Sequence, residues 1–506
     1  MRQALPQQQN PVPAFDFCRE CGSDCRYEAV INYACYHGIH DIFLRHRAAS
    51  AALSFEQSAN QHNMTAMEDT INTYFKYIEH HLKNRPYRLA YAIASFISRR
   101  VFSSVEVIGL DTLIQQRRAE AAQGTKTLNI YIARHLSEFD WQEIQRLLAG
   151  ANMMSAIQSG DNLFIGPLDP LLRHLGAFKV FRGEARIFSA HWLANSIYRT
   201  LDVFWSDPLF KRLFPAIGLR QRQTVTIDAT LAKDVYIAYM KQLIDVEARD
   251  ILIFPEYLKL ADKKIKYGRS YSGKLLEFTP LIFKLLRDIN KKTKRMIQIV
   301  PVNVSYERVV EDQSFKTLEK MKSNKITKRF VYLADYFFNY THWLYQHQKN
   351  RVVIKFGEPE PLRKSMDFKI RLHDDLRKKV GQLQTVFPTQ IVGYAFHEKT
   401  ALTEAELVKR VEKTVSELKK IDADLRHVEK LSTQQIIQYA YDHFDLHQKR
   451  RLLVYDEGKK NHRVMRQDVL SQYRNHIAHL FEKWYGPGRL MKIIDIFRDS
   501  SDPDTF

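Results

Sequence analysis

The feature that most constrains the fold is a series of short apolar segments, separated by helical patterns, between residues 127 and 362. The segments that we predict as strands are 128–133, 177–181, 250–254, 297–304 and 351–356. Several consist almost entirely of Ile, Leu and Val, which is typical of strands covered by helices on both faces. We therefore predict an α/β fold with a mixed, largely parallel sheet flanked by helices.

Helical patterns continue on both sides of this region. Apolar residues recur at helical spacing over 64–82 and 88–105, and 403–431 has the pattern of a charged amphipathic helix. We therefore predict an N-terminal helical region before the α/β domain and a C-terminal helical extension after it. The predicted divisions are an N-terminal Cys-containing segment (1–62), a helical region (63–118), an α/β domain (119–395) and a C-terminal helical region (396–506).

The charge of the chain indicates an anionic partner. Its 506 residues include 77 Lys and Arg against 57 Asp and Glu, a formal net charge of +20. A phosphate substrate, an acidic protein, anionic lipid or nucleic acid would suit this excess. We expect no nucleic acid partner, because the sequence contains no recognisable nucleic-acid-binding module.

The hydropathy pattern predicts a protein that lies on a membrane rather than crossing it. No apolar run approaches the roughly 18 residues of a membrane span. Residues 1–13 are rich in Gln and Pro and lack the apolar core of a signal peptide. We expect the cytoplasmic face of a membrane, in a peripheral or monotopic position. Segments 88–105 and 331–345 combine apolar or aromatic residues with nearby Lys and Arg, so each either contacts anionic lipid or packs inside the protein.

All four cysteines fall within one short window near the N-terminus. They are Cys18, Cys21, Cys25 and Cys35. The Cys-x2-Cys pair is typical of zinc sites, but the second pair lacks the usual spacing, so free thiols are the alternative. The absence of other cysteines from the sequence argues against a disulfide framework and for a reducing compartment.

Segment 134–140 is the strongest candidate for a chemical site. His135 follows the predicted strand 128–133, and Asp140 begins a helical pattern. On one helix these two side chains would lie roughly 140° apart, whereas across a strand-to-helix turn they can meet. A histidine held by a carboxylate is a suitable general base near neutral pH. The alternative is purely structural, because Ser137 and Asp140 have the spacing of a helix cap.

Four sequence blocks in a fixed order extend this candidate site. They are 135–140 (HLSEFD), 176–182 (GAFKVFR), 254–256 (FPE) with 268–276 (GRSYSGKLL), and 300–309 (VPVNVSYERV). Further segments are 165–168 (IGPL), 356–362 (FGEPEPL) and 473–479 (YRNHIAH). Together they resemble the glycerolipid acyltransferases, whose blocks are HxxxxD, GxxFIxR, FPEG-RSR and VPV. Within these, the chain is most similar to the glycerol-3-phosphate and dihydroxyacetone-phosphate acyltransferase branch.

The resemblance implies a reaction and a role for each residue. An acyl group would pass from acyl-CoA or acyl-acyl carrier protein to the sn-1 hydroxyl of glycerol 3-phosphate, with no cofactor and no catalytic metal. His135 would be the general base and Asp140 would orient it. The residues implied in acceptor binding are Arg182, Arg269, Glu256, Ser270, Lys274 and Arg173. Glu256 would hydrogen-bond an acceptor hydroxyl or, alternatively, shape its loop.

The chain departs from the family pattern at several positions. Tyr257 replaces the Gly that follows Pro-Glu, and 257–267 resembles an insertion. Tyr271 replaces the second Arg of Arg-Ser-Arg, and Leu136 stands where many members have Arg or Asn. Loss of the Gly threatens the loop geometry, since Gly allows backbone conformations that other residues resist. Dihydroxyacetone phosphate or a lysophospholipid is therefore an alternative acceptor, and a non-catalytic membrane scaffold is an alternative of another class.

Overall fold

In the computed structural model, three adjacent strands of the main sheet are buried along their whole length. They are β2 (Leu128–Ala133), β7 (Asp250–Ile253) and β11 (Ile297–Tyr306). Their side chains alternate between the two faces of the sheet, and both faces are covered. The near-continuous apolar sequence of these strands is what such burial requires.

The structure describes the chain in eleven stretches of residues. They are 84–160, 172–180, 185–187, 225–227, 229–259, 265–267, 270, 272–311, 350–362, 371–444 and 451–482. Residues His62–Phe506 form one compact unit, to which all of these belong. The four cysteines, Arg182, Arg269, Tyr271 and the segments 64–82 and 331–345 lie outside the described residues, and what we predicted for them stays a prediction.

Helices and strands alternate through most of the described chain. The helices are α1 (Asn84–Val101), α2 (Leu110–Ala122), α3 (Phe139–Gly150), α4 (Ala229–Asp245), α5 (Pro280–Lys292), α6 (Arg371–Gln382), α7 (Pro388–Ala395), α8 (Glu404–Lys420), α9 (Thr433–Phe444) and α10 (Gln467–Ala478). The remaining strands are β1 (Phe102–Ile108), β3 (Ser155–Gly160), β4 (Ala177–Val180), β5 (Ala185–Ile187), β6 (Val225–Ile227), β8 (Glu256–Lys259), β9 (Ile265–Tyr267), β10 (Glu277–Phe278), β12 (Asn350–Phe356), β13 (Glu360–Pro361), β14 (Ala401–Thr403), β15 (Leu453–Asp456) and β16 (Asn461–Val464). None of the described helices is both long and apolar enough to cross a bilayer.

The main sheet has the strand order β1-β12-β11-β2-β7-β3-β4, with β13 paired to β11. From β11 to β4 every neighbouring pair is parallel. β12 and β13 run antiparallel to β11, and β1 is parallel to β12. The prediction of a mixed, largely parallel sheet flanked by helices is confirmed.

The register of the parallel strands places their carboxyl ends at one edge. Val302 of β11 is opposite Ala133 of β2, and Ile132 is opposite Ile253 of β7. Segments that follow β2, β7 and β11 therefore emerge side by side, where sites form in open α/β sheets. We call this the carboxyl edge.

The predicted strands agree with the observed ones to within two residues at each end, but the helix predicted over 88–105 is too long. It ends at Val101, and β1 begins at Phe102 as an edge strand beside β12. The apolar spacing of the helix continues into Phe102, Val105 and Val107, which pack against the sheet core. Only the available pairing with β12 converts this pattern into a strand.

The C-terminal helices form a second hydrophobic core. Val392 of α7, Leu407 and Val411 of α8, Ile437 of α9 and Leu470 of α10 are fully or almost fully buried in it. α7 packs against α8, α9 and α10, and a small antiparallel sheet, β14-β16-β15, borders the cluster. The predicted helix 403–431 ends at Lys420, and its start is capped by Thr403 and Glu406 in a capping box.

Candidate active site

The turn between β2 and α3 brings His135 and Asp140 together. Nδ1 of His135 lies 3.0 Å from Oδ2 of Asp140, and their side chains are 15% and 0% exposed. Because the carboxylate can only accept, Nδ1 carries a proton, and in a neutral imidazole the lone pair is then on Nε2. No described residue forms a hydrogen bond with Nε2. The imidazole is therefore held through Nδ1, whereas Nε2 makes no hydrogen bond to the described part of the chain.

Asp140 is a buried carboxylate whose oxygens accept four hydrogen bonds. Besides the imidazole, the backbone N–H groups of Leu136 and Ser137 donate to Oδ2 at 2.5 and 2.8 Å, and the hydroxyl of Tyr306 donates to Oδ1 at 2.6 Å. Burial, together with the charge of Asp140, raises the pKa of Tyr306 well above its usual value, so this hydroxyl stays protonated. Four donors offset the cost of burying the charge.

Further hydrogen bonds hold the backbone of the same turn, although the N-cap of α3, Glu138, makes no side-chain cap hydrogen bond. Ser137 Oγ accepts a hydrogen bond from the N–H of Phe139 at 3.1 Å and donates to Glu311 Oε2 at 2.8 Å. Glu311 also accepts from the N–H of Glu138 at 2.9 Å. The contacts of Ser137 and Glu311 therefore fix the backbone that presents His135.

Glu256 follows β7 and holds the backbone of residues 135–140, which we call the catalytic turn after the role predicted for it. Its Oε2 accepts from the N–H of His135 at 2.6 Å, and its Oε1 accepts from the N–H of Leu276 at 3.0 Å. Burial raises the pKa of Glu256, and the charge of nearby Arg134 opposes that rise. The side chain has no exposed surface.

An aromatic ring lies against the candidate base. The ring centroids of Phe254 and His135 are 4.6 Å apart, with an angle of 34° between the rings. Phe254 comes directly after β7, so two neighbouring strand ends supply the imidazole and the surface against which it rests. This contact restricts rotation of the imidazole at the carboxyl edge.

Ser270 and residues 272–276 belong to a loop that contacts the backbone of His135, which we call the acceptor loop. The N–H of Ser270 donates to the carbonyl of His135 at 3.3 Å, and the hydroxyls of Ser270 and Ser272 are 3.2 Å apart. Ser270 is buried, whereas Lys274 is exposed. Two predicted binding residues, Ser270 and Lys274, therefore lie in one loop that contacts the backbone of His135.

Arg173 is placed differently from the acceptor loop. It is completely buried in the segment that precedes β4, and its carbonyl accepts from the N–H of Gly176. A fully buried guanidinium is better suited to holding the chain than to meeting a ligand from solvent. Arg182 and Arg269 lie outside the described residues.

Tyr257 occupies extended backbone in β8, paired with Glu277 of β10 and Tyr267 of β9. Its hydroxyl donates to Glu277 Oε2 at 2.9 Å. Extended backbone is open to any residue, so the expected damage from losing Gly at this position does not occur. The part of 257–267 that the structure describes is an antiparallel pair of strands.

Arg134 belongs to the surroundings of the site, and nothing in the sequence indicated this. Arg134 is fully buried; its Nη2 donates to the Gly273 carbonyl, and its Nη1 lies 3.2 Å from Gln384 Oε1 and 3.4 Å from the His476 carbonyl. Burial lowers the pKa of Arg134 to about 10, against the opposing charge of Glu256. A lone Arg beside a histidine does not indicate such burial, and the partners are far away in sequence.

The arrangement is suited to removing a proton from a bound hydroxyl group. A neutral imidazole with one nitrogen on a buried carboxylate and the other accessible is the geometry of a general base. Within the described residues, the predicted pair His135 and Asp140 is in contact with Glu256 and with the backbone of Ser270. Lys274 lies in the same loop as Ser270. Tyr306, Glu311 and Arg134 complete the surroundings.

Comparison with known proteins matches residues 337–483 to the family model described as the glycerol-3-phosphate acyltransferase C-terminal region. No curated protein matches the chain significantly. The matched region includes Gln384, Asn475 and His476, whose side chains or carbonyls contact Arg134 and the acceptor loop. The matched region therefore contacts residues that surround His135. The match supports assignment of this chain to the glycerol-3-phosphate acyltransferase family.

Proposed function

We propose that the protein transfers a fatty acyl group from acyl-CoA or acyl-acyl carrier protein to the sn-1 hydroxyl of glycerol 3-phosphate. The single observation that carries this proposal is the His135–Asp140 pair, built at the carboxyl edge and joined to the region that matches the family. The product would be lysophosphatidate.

His135 acts as the general base in this mechanism. Nε2 takes the proton of the acceptor hydroxyl while the oxygen attacks the thioester carbonyl. Asp140 stabilises the imidazolium that forms and holds its tautomer through Nδ1. General-base assistance of this kind contributes roughly 10²–10⁴-fold to the rate.

The second half of the reaction returns the proton. The tetrahedral intermediate collapses, the C–S bond breaks, and the imidazolium donates its proton to the departing thiolate. The products are the ester and a free thiol, so the atoms balance without an oxidant or a metal. Transfer is direct, within one complex of both substrates, and needs no acyl-enzyme.

The acceptor phosphate requires cationic side chains near His135. Lys274 is exposed on the acceptor loop and suits a point contact with phosphate. Arg182 and Arg269 remain the proposed bidentate partners, because arginine matches a phosphate with two parallel hydrogen bonds. Glu256 acts by holding the His135 backbone, since both of its oxygens already accept backbone N–H groups.

The proposal includes association with an anionic membrane surface. Helix α1 packs Ile97 and Val101 against the sheet core, while Phe96 is 61% exposed and Arg99 and Arg100 are also exposed. The guanidinium of Arg100 lies 5.2 Å from the ring centroid of Phe96. An exposed aromatic ring beside exposed arginines is typical of contact with anionic lipid headgroups.

The direct test supplies purified protein with labelled glycerol 3-phosphate and a long-chain donor, either acyl-CoA or acyl-acyl carrier protein. We expect labelled lysophosphatidate. Dihydroxyacetone phosphate and a lysophospholipid are offered in parallel as acceptors. A preference for either would replace the acceptor in the proposal, and binding without any turnover would favour a non-catalytic scaffold.

A further inference from the structure

The acceptor loop has no regular secondary structure between Ser272 and the start of β10. Its backbone carbonyls therefore need partners from elsewhere in the molecule. Four of the five carbonyls from 272 to 276 accept hydrogen bonds from side chains. A loop held in this way is ordered by the residues around it.

Three side chains supply these bonds, two of them from helices that follow the main sheet in the chain. Asn475 Nδ2 donates to Ser272 at 2.8 Å, Arg134 Nη2 donates to Gly273, and Arg377 donates from Nη2 to Leu275 and from Nε to Leu276, both at 3.0 Å. Arg377 belongs to α6 and Asn475 to α10. Both helices lie within the region matched by the family model.

The loop also packs tightly against α10. Gly273 has φ +76°, and a Cβ at this position would lie 2.5 Å from the carbonyl oxygen of Gln472 and 2.9 Å from Cδ2 of His476. Only glycine allows both this backbone conformation and this approach. The C-terminal helix therefore forms the surface on which the loop rests.

The loop contacts the catalytic turn as well. The N–H of Ser270 donates to the His135 carbonyl, and Glu256 bridges the N–H groups of Leu276 and His135. The loop thus lies between the C-terminal helices and the general base. Movement of the loop would shift Lys274 relative to His135 without breaking the His135–Asp140 pair.

We propose that Arg377 and Asn475 are positioning residues that set the affinity for the acceptor phosphate by ordering the acceptor loop. This inference rests on the proposed function of the site. Neither residue touches the reacting atoms. Each acts through the loop backbone, which presents Lys274.

The test compares Arg377→Met and Asn475→Ala with matched controls. Arg410 donates to two backbone carbonyls within the C-terminal core, and buried Asn290 donates to Leu362 near the opposite edge of the sheet. We expect the KM for glycerol 3-phosphate to rise about tenfold or more in both loop variants, since small misplacements near a reacting centre are costly. Arg410→Met and Asn290→Ala should leave that KM unchanged.

Two further readouts separate positioning from general damage. The KM for the acyl donor should stay near the wild-type value, and Arg377→Lys, which keeps a donor, should give an intermediate acceptor KM. Hydrogen exchange should quicken at the amides of 272–276 in the two loop variants and not in the controls. This last measurement needs no turnover, so it tests the ordering of the loop even if the proposed reaction fails.

The proposal is overturned if amide exchange in the loop is unchanged. It is also overturned if the acceptor KM moves no further than in the controls, or if donor and acceptor KM rise together. An inactive wild-type protein would instead remove the proposed function, and the exchange rates would still decide whether Arg377 and Asn475 order the loop.

Discussion

The catalytic turn and the acceptor loop lie side by side but are built in opposite ways. In the turn from His135 to Asp140, three of the four hydrogen bonds that Asp140 accepts come from residues 135–137. The carbonyls of the loop take theirs from Arg134, Arg377 and Asn475, which are about one hundred to two hundred residues away. The contact between His135 and Asp140 therefore forms within one short turn, whereas the position of the loop depends on the tertiary fold.

The largest expected effect comes from removing the base in the turn. His135→Ala should lower kcat by about 10²–10⁴-fold with little change in the melting temperature, because Asp140 keeps its other three donors. His397→Ala, at an exposed position, is the matched control and should be fully active. A His135→Ala variant that retained wild-type kcat would remove the general-base role.

Gly273→Ala should disturb the loop and spare the turn. The added Cβ would meet the Gln472 carbonyl, so we expect a loss of about 1–3 kcal/mol in the free energy of unfolding and a raised acceptor KM. The loss at Gly273 has two causes, backbone strain at positive φ and the close approach of the Gln472 carbonyl. Gly124→Ala isolates the first cause, since Gly124 has φ +66° but open space around it. Equal effects at both glycines in chemical denaturation would show that close packing on α10 is unimportant.

Tyr306→Phe should perturb the turn less than His135→Ala does. Tyr306 ends strand β11 and reaches the turn through its hydroxyl. The substitution removes one of four donors to Asp140 while keeping the packed ring, so kcat should fall about tenfold, the equivalent of one hydrogen bond to a charged group. The control is Tyr131→Phe, because the Tyr131 hydroxyl faces buried Asp250 instead of the catalytic turn. Matching losses of kcat in the two variants would contradict a specific role for Tyr306.

The smallest effect is a pH dependence in the contact between sheet and C-terminal helices. Burial lowers the pKa of His443, but the hydrogen bond and the negative charge of Glu307 outweigh burial, so the pKa lies above its usual value. The stabilisation is therefore full below the unfolded pKa near 6.5 and is lost as pH rises through the folded value. Unfolding free energy should fall on that interval by at most about 1.4 kcal/mol per pH unit, and His443→Gln should flatten the curve.

This pH effect should leave the catalytic turn unchanged. His443 and Glu307 join α9 to the end of β11, and Arg351 of β12 also contacts Glu307. Denaturation curves from about pH 6 to 9 in the wild type and His443→Gln provide the measurement. Parallel curves for the two proteins would exclude His443 as the source.

Strand positions were predictable because the sheet is buried on both faces. Continuous Ile, Leu and Val in β2, β7 and β11 leave few alternatives, and the predicted bounds differ from the observed ones by two residues at most. Of the main-sheet strands, β1, β3 and β13 were missed. The apolar spacing of β1 follows on from helix α1, and only pairing with β12 distinguishes the two. Edge strands depend on a partner that sequence periodicity does not report.

The site shows the same division. His135 and Asp140 were found from the strand that precedes them and the helix that follows, because local geometry decides whether they meet. Glu256 was predicted to belong to the site. Its contacts with two backbone N–H groups were not predicted, because they depend on the neighbouring strand β7 and on the acceptor loop. Arg134, Tyr306 and Arg377 were not found, because burial and carbonyl partners far along the chain have no sequence signature.

By itself the sequence determined the α/β class, the central strands and the pair at the end of β2, since these follow from apolar periodicity and short-range geometry. Only the tertiary structure decided that Tyr306 completes the surroundings of Asp140 and that C-terminal side chains hold the acceptor loop. The physical reason is that an irregular loop must satisfy its carbonyls, and the donors that do so are brought close only by the packing of distant helices.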